Sequence, residues 1–186
     1  NSNPRFSARL LSIPSGTASF ESEQIKLPQI LHKDRIDIFH TQDNFFPIGL
    51  ECPTVITVHD VIAICGAPSI SPAKWRRPAS KKLLLAAHLA NHIIVPSIYV
   101  KEQMLKNLKI PEKKLTQMYY GCPSFFLPIQ RSKALDVVKS RFRIMRPFLL
   151  SVGLLNRRKN QKMLIRAFRQ RLWKTHDLVI VGKSAW

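Results

Sequence analysis

Acidic residues are scarce in this sequence. Its 186 residues include 30 Lys and Arg but only 11 Asp and Glu, so the formal net charge at pH 7 is +19. After Asp136 a single acid, Asp177, remains among many cations. A charge this large indicates an anionic partner, and by itself leaves open whether that is nucleic acid, an acidic membrane surface or a phosphorylated ligand.

Long hydrophobic runs are also missing. No stretch reaches the roughly eighteen uninterrupted apolar residues that a membrane-spanning helix needs. The nearest one, residues 83–96, is broken by His88, Asn91 and His92. No signal peptide is visible, so the sequence predicts neither a membrane span nor a secretion signal.

Cysteine is rare and lacks metal-ligand spacing. An odd, scattered set of cysteines favours a reducing compartment and a cytoplasmic protein. His88 and His92 are four residues apart and could share one helix face as a metal pair. No third ligand accompanies them, so we predict no metal site. The cysteines are Cys52, Cys65 and Cys122.

Short apolar strands alternate with helical patterns along the chain. Hydrophobic residues make up 45% of the sequence, which is typical of a protein with a core. The alternation predicts an α/β fold with a parallel sheet, and Ser97 is the predicted N-cap of the helix that follows it. Strands are predicted at 35–40, 53–60, 93–96, 114–121, 147–153 and 176–182, and helices at 22–33, 71–92, 98–108, 133–142 and 160–173.

A connector containing two prolines, residues 122–132, precedes a fresh strand–helix–strand series. We therefore expect a first domain over 1–128, a linker and helix over 129–146, and the start of a second domain over 147–186. In this last segment one helix can cover only one face of two apolar strands. The segment is not expected to stand easily alone.

The stretch SVGLLNRRKNQKMLIRAF, residues 151–168, joins a strand to a helix through Gly153 and the cations Arg157, Arg158 and Lys159. Helix N-termini bind anions through free N–H groups and the helix dipole. Cations placed there instead cost roughly 0.3–1 kcal/mol each. Spacing alone leaves two equal interpretations, a solvated basic turn and a phosphate site.

The helix after these cations is predicted to begin at Asn160, which suits an N-cap. An apolar stripe would dock this helix on its sheet and hold the basic loop still. No Walker-type GK[ST] and no G-x-G-x-x-G motif is present. The stripe consists of Met163, Leu164, Ala167, Phe168 and Leu172.

His59 and Asp60 follow an apolar strand, TVITV, at its carboxyl end. Ligands of open α/β sheets bind at that edge, and a histidine there can donate a hydrogen bond or accept a proton near neutral pH. His40 ends the preceding strand and has the same two interpretations. Taken alone, such an edge His is more often structural than catalytic.

The basic segment KWRRPASKK, residues 74–82, lies in a predicted helix. Clustered cations beside an apolar face suit an anionic bilayer, and Trp75 could sit at such an interface. A solvated basic face explains the same residues. Nucleic-acid binding agrees with the charge, although RNP, zinc-finger and helix-turn-helix patterns are missing.

Five blocks follow one another in a fixed order: DIFHTQDNFFPIGLECPTVITVHDV, HIIVPS, LTQMYYGCPSFFLP, FLLSVGLLNRRKNQKMLIRAF and LVIVGKSAW. Together they resemble family 4 of the glycosyltransferases, the retaining GT-B group, and within it bacterial enzymes that transfer mannose or related sugars. The resemblance runs from about residue 24 to residue 186. It implies a partial N-terminal, acceptor-side Rossmann-like domain, followed by the first β-α-β unit of a second, donor-binding Rossmann-like domain.

The same resemblance implies site residues. His59 and Asp60 would be catalytic, near the donor sugar and the acceptor, while Gly153, Arg158 and Lys159 would bind the donor diphosphate. These cations would stabilise the charge that builds on the leaving nucleoside diphosphate. No metal and no cofactor are therefore implied, and the donor would be a nucleotide sugar such as GDP-mannose or a UDP-sugar.

Three positions in these blocks bear on the implied site. Asn156 and Arg157 stand where relatives carry Glu and Pro, which makes the loop more basic. Gly121 matches the glycine of the family's NGV turn.

The implied activity is that of a cytoplasmic hexosyltransferase, peripheral at the inner face of the membrane. It would move a sugar from a nucleotide-sugar donor to a glycan or lipid-linked acceptor in polysaccharide or cell-envelope biosynthesis. The family's N-terminal Gly-rich strand and acidic E-x7-E block are missing from this sequence, so we expect a fragment without activity of its own. The alternative is a basic nucleic-acid-binding or anionic-membrane-binding module without catalysis.

Overall fold

The computed structural model of the chain describes residues 22–42, 46–66 and 73–184. The chain divides into two compact units, Asn1–Tyr120 and Gly121–Trp186. Residues 121–128, which the sequence assigned to the first domain, cluster with the second unit. The first part of that predicted domain, residues 1–21, and the start of the predicted helix 71–92 lie outside the described residues.

Among the described residues of the first unit, four strands form a parallel sheet at its centre. The strands lie in sequence order, with His40 beside Val55 and Ile56 beside Ile93. This arrangement confirms the predicted α/β fold. The strands are β1 Phe39–Thr41, β2 Thr54–Thr57, β3 His92–Val95 and β4 Leu115–Gln117.

The strands are shorter than the apolar patterns that predicted them. Val58 follows β2 and is fully buried, and its N–H still donates to the carbonyl of Ile94 over 2.9 Å. The apolar pattern indicates which residues are buried, and burial continues past the last residue of β2. The end predicted from the apolar pattern therefore lies beyond Thr57, the last residue of β2.

Helices of the first unit cover this sheet with apolar side chains. A π-helical turn, Ser22–Lys26, leads into the first helix. The N-cap predicted at Ser97 is confirmed, because its hydroxyl accepts a hydrogen bond from the N–H of Val100 at 3.3 Å. The helices are α1 Leu27–Lys33, α2 Ile62–Cys65, α3 Ala73–Leu89 and α4 Ile98–Leu108, and a 3-10 turn spans Glu112–Lys114.

The core of the first unit lies between the sheet and helices α3 and α4. Leu83 of α3 and Met104 of α4 are both fully buried with Ile56 and Ile93 of the strands. Burying side chains of this size stabilises a fold by about 1.5–3 kcal/mol each. This core fixes the sheet and therefore the edge that carries His59.

The second unit contains a parallel pair of strands in which Leu150 lies beside Val179. None of its described residues, 121–184, is fully buried. Leu150 is 57% exposed and Val152 is 70% exposed. The sequence predicts that one helix cannot cover both faces of the two apolar strands, and these exposed side chains agree with that prediction. The elements are α5 Arg131–Phe142, β5 Phe148–Val152, a 3-10 turn Arg157–Lys159, α6 Gln161–Arg171 and β6 Asp177–Val181.

Candidate functional site

In the second unit, the basic loop begins where β5 ends. The N–H of Gly153 donates to the carbonyl of Val181 at 2.9 Å, which ties the loop to β6. The backbone of Gly153 has φ +149, a conformation that L side chains rarely adopt. Lys159 folds back over this glycine, with Nζ 3.9 Å from the position that a Cβ on Gly153 would occupy.

Asn156 caps the cationic turn. Its backbone is extended, and its Oδ1 accepts a hydrogen bond from the N–H of Lys159 at 3.0 Å. The three cations therefore form their own 3-10 turn, and α6 begins only at Gln161. A short polar side chain that satisfies an otherwise unpaired N–H is the usual chemistry of such a cap.

Asn160 occupies the N-cap position of α6, as the sequence predicts, and its carbonyl accepts a hydrogen bond from the N–H of Met163 at 3.0 Å. Asn160 makes no capping hydrogen bond with its side chain and lies in the left-handed region, at φ 54 and ψ 36. It joins the 3-10 turn to α6, a change of direction that requires a left-handed residue. Asn tolerates that conformation better than most residues, because its short side chain can hydrogen-bond locally.

The stripe predicted to dock α6 is only partly buried. Leu164, Phe168 and Leu172 are half-buried, whereas Met163 and Ala167 are exposed. Fewer side chains of this stripe are therefore buried than the sequence predicts.

Among the described residues, no acidic side chain forms an ion pair with the cations of the loop. Arg157, Arg158 and Lys159 are exposed, and Asp177 is 3.5 Å from Arg146 instead. Ion pairs among the described residues do not include the three loop cations. Three like charges without internal neutralisation create a local positive potential that attracts anions.

An open cavity of about 700 Å³ lies beside the loop. Its wall includes Arg157, Lys162 and Gln161, together with apolar side chains from α6 and β6. Arg158 and Lys159 do not line this cavity. The loop thus presents cations in two directions, Arg157 to the cavity and Lys159 to Gly153.

In the first unit, His59 and Asp60 lie at the carboxyl end of β2, as the sequence predicted. Nδ1 of His59 is hydrogen-bonded to the hydroxyl of Tyr120, with the two rings 5.8 Å apart between centroids. Asp60 is engaged differently, since its Oδ1 accepts a hydrogen bond from the N–H of Ile62 at 3.0 Å. Asp60 therefore stabilises the turn into α2.

Tyr120 is a site residue that sequence reasoning missed. The signal was present, because the carboxyl ends of parallel strands meet at one sheet edge and Tyr120 follows β4 as His59 follows β2. The neighbour of His59 in the sequence is Asp60. The structure gives His59 a partner 61 residues away.

The other histidines are tied to hydrogen-bond partners. His40 Nε2 lies 2.8 Å from the hydroxyl of buried Thr57, and His92 Nε2 lies 2.8 Å from that of Thr116. His88 Nδ1 donates to the carbonyl of Leu84 at 2.9 Å. Over the ranges that the structure describes, no group of three His, Cys, Asp or Glu side chains could hold a metal ion. All three cysteines carry free thiols.

Helix α3 has an outward face that mixes cations with leucines. Arg77 and Lys81 are exposed on it, and Leu84, Leu85 and Leu89 are 43%, 43% and 47% exposed. Within the described parts of the chain, none of the helices has the length and apolar character needed to cross a bilayer.

One family profile matches most of this chain. Residues 4–123 match the profile of Glycosyltransferase Family 4. O-antigen chain mannosyltransferase B of Escherichia coli is 24% identical over 152 residues, which cover 80% of this chain and 39% of that protein. The chain thus spans well under half the length of this curated relative.

Two solved structures resemble the fold. The crystal structure of HepE from Anabaena in complex with UDP matches with a TM-score of 0.64 and 16% identity, covering 87% of this chain and 43% of that one. A glycosyltransferase from Rickettsia africae matches with a TM-score of 0.52 and 15% identity, covering 96% of this chain and 55% of that one. These likenesses confirm the GT-B type of α/β fold.

Proposed function

This chain belongs to glycosyltransferase family 4, and from that membership we propose that it serves the transfer of a sugar from a nucleotide-sugar donor to a glycan or lipid-linked acceptor. The likeness to an O-antigen mannosyltransferase supports mannose or a related hexose as the sugar, and polysaccharide assembly as the process. UDP in the similar Anabaena structure supports a nucleoside diphosphate as the leaving group. We propose that the transfer is retaining.

The basic loop of the second unit is proposed to bind the donor diphosphate through Gly153, Arg158 and Lys159. The observation that carries this proposal is the position of Lys159, whose ammonium group is folded over Gly153 at the end of β5. No acidic side chain in the described part of the chain forms an ion pair with it. Cations fixed before the reaction stabilise the charge that develops on a leaving diphosphate. The Asn156 cap supports this role by holding the turn in place.

His59 is proposed to contact the donor sugar or the acceptor from the carboxyl edge of the first sheet. Asp60 is proposed to act beside it by shaping the turn, because one of its oxygens already accepts a hydrogen bond from Ile62. The two residues that the family resemblance implies as catalytic thus have different tasks in this proposal. His59 contacts the substrate, and Asp60 holds the turn that positions His59.

The loop proposal can be tested by titrating the chain with pyrophosphate, UDP and GDP in a calorimeter. Lys159→Ala should weaken binding about three- to tenfold, since a charged hydrogen bond at an exposed site contributes roughly 1 kcal/mol. Lys133→Ala removes the same charge from the exposed face of α5 and should leave binding unchanged. Arg157→Ala reports whether the neighbouring cavity contributes.

Equal weakening by Lys133→Ala and Lys159→Ala would contradict the proposed loop, because net charge alone would then explain the binding. Binding to DNA or RNA with a steep salt dependence, and no response to nucleoside diphosphates, would favour the nucleic-acid alternative instead. Transfer of a labelled sugar from GDP-mannose or a UDP-sugar to a lipid-linked acceptor would test the activity directly.

An anionic membrane surface is proposed as a partner of the outward face of α3. Its exposed leucines lie among cations, a combination suited to the boundary between lipid headgroups and acyl chains. Leu85→Ser should reduce sedimentation with phosphatidylglycerol vesicles, and Lys81→Gln should reduce it only at low salt. Leu135→Ser on α5, which is 42% exposed, is the matched control. An equal loss in Leu135→Ser, or equal binding to neutral vesicles, would contradict the proposal.

A further inference from the structure

Tyr120 reaches His59 across the middle of the first sheet. Their strands, β4 and β2, are separated by β3, and two strand spacings amount to about 10 Å. Met118 keeps the chain attached to the sheet after β4, because its N–H donates to the carbonyl of Val95 at 2.9 Å. A tyrosine is long enough to cover the remaining distance, and its hydroxyl is hydrogen-bonded to Nδ1 of His59.

The chemistry of the two groups favours one direction for this hydrogen bond. A phenol O–H is a good donor, whereas the phenol oxygen shares its electrons with the ring and accepts poorly. The unprotonated nitrogen of a neutral imidazole is a strong acceptor. The more stable arrangement therefore has the Tyr120 hydroxyl donating to Nδ1 of His59, which places the imidazole hydrogen on Nε2.

We propose that Tyr120 is a positioning residue that holds His59 as the Nε2–H tautomer and thereby makes it a hydrogen-bond donor at the carboxyl edge of the sheet. In this state Nε2 offers a hydrogen to a sugar or acceptor oxygen and has no lone pair with which to take a proton. That last statement about the substrate rests on the proposed function. The tautomer itself does not depend on it.

The arrangement also explains why Asp60 does not set the state of its neighbour. A carboxylate bonded to Nδ1 would accept a hydrogen there and leave Nε2 as a base. Asp60 instead accepts from the backbone of Ile62, and the imidazole is bonded to Tyr120. Because a tyrosine and not a carboxylate is bonded to Nδ1, the hydrogen of the His59 ring lies on Nε2 instead of Nδ1.

The test is the tautomer of His59, read from the ¹⁵N signals of its ring in the full chain without ligand. In the neutral imidazole, Nε2 should give the signal of a protonated nitrogen and Nδ1 that of an unprotonated one. Tyr120→Phe removes only the hydroxyl, and both signals should then shift towards each other as the ring exchanges between tautomers.

Tyr119→Phe is the matched control, since Tyr119 is a neighbouring tyrosine with 68% exposure; its variant should leave the His59 signals in place. The His40 signals report that the sheet edge is intact, because His40 is bonded to Thr57 in the same sheet. A hydrogen on Nδ1 in the parent chain, or unchanged His59 signals in Tyr120→Phe, would overturn the proposal. Neither result depends on nucleotide binding or sugar transfer, so a failed transfer assay would leave this inference standing.

Discussion

Lys159 lies across Gly153, with its Cε 3.5 Å and its Nζ 3.9 Å from where a Cβ on that glycine would be. These are ordinary van der Waals distances, so a methyl group at residue 153 would fit beside the lysine. The restriction at residue 153 is its backbone angle, because a residue with a side chain rarely adopts a φ of +149. Backbone conformation, rather than space, is what the glycine supplies to the basic loop.

Gly153→Ala should lower the stability of the second unit by about 1–3 kcal/mol, the cost of holding a non-glycine residue in such a conformation. Denaturant unfolding followed through signals of the second unit measures this change. Gly121→Ala is the control, because a Cβ there would meet nothing within 4 Å, and it should change stability by only a few tenths of a kcal/mol. Equal effects would refute the assignment of strain to Gly153.

Gly182→Ala should be more damaging than Gly153→Ala. A Cβ on Gly182 would overlap the carbonyl oxygen of Gly153, a backbone atom that cannot rotate away. The ends of β5 and β6 would have to separate, and the hydrogen bond from Gly153 to Val181 would lengthen. Faster amide exchange at Gly153 is the expected observation. Protection that matches the parent chain would show that this close approach is not required.

Asn156→Ala should cost about 1 kcal/mol, the usual loss for removing an N-cap side chain. Asn160→Gly should cost nothing or stabilise the chain slightly, because glycine adopts the left-handed region freely. Helical chemical shifts over the turn Arg157–Lys159 distinguish the two variants. The opposite ranking, with Asn160→Gly the more harmful, would show that the Asn160 side chain stabilises the start of α6.

Ser97→Ala should destabilise the first unit by about 1 kcal/mol, since the N–H of Val100 loses its acceptor at the start of α4. Ser97→Asp should keep the cap and most of the stability. Ser80→Ala is the control, because the Ser80 hydroxyl only donates back to the carbonyl of Arg77 within α3. Thermal unfolding of the three variants gives the comparison, and similar losses for residues 80 and 97 would argue against a capping role.

Glu112 is predicted to titrate at low pH. The hydrogen bond from Lys101, whose Nζ lies 2.7 Å from Oε1, and the positive charge of that lysine hold the pKa of Glu112 below its ordinary value. A carboxyl with a lowered folded pKa contributes stability above its unfolded pKa and loses that contribution as pH falls through the folded value.

Lys101→Gln should therefore raise the pKa of Glu112 towards its ordinary value in a carbon-detected titration, and added salt should do the same in part. Lys113→Gln removes a charge from the residue next to Glu112 and should shift the pKa less. A Glu112 titration that is unaffected by Lys101→Gln would contradict the assigned cause.

The predicted and observed structures agree where the signal is local. Helix α4 spans the predicted range and starts from the predicted cap, because an extended Ser97 before an amphipathic run contains all the information needed. The sequence predicts the position of Asn160 before α6, but not the separate turn Arg157–Lys159 that Asn156 caps. Both asparagines suit a cap, and only the path of the chain decides which one is extended and which is left-handed.

Residue types alone predict the α/β alternation, the excess of positive charge and the ordered blocks that resemble the family. These features depend on the types of residues that lie close together in the sequence, and such residues act on the local backbone. The hydrogen bond of His59 to Tyr120, and not to the adjacent Asp60, follows from how the chain packs. A parallel sheet brings distant strand ends to one edge, and the hydrogen-bonding capacity of each side chain goes to whichever group the packed chain places within reach.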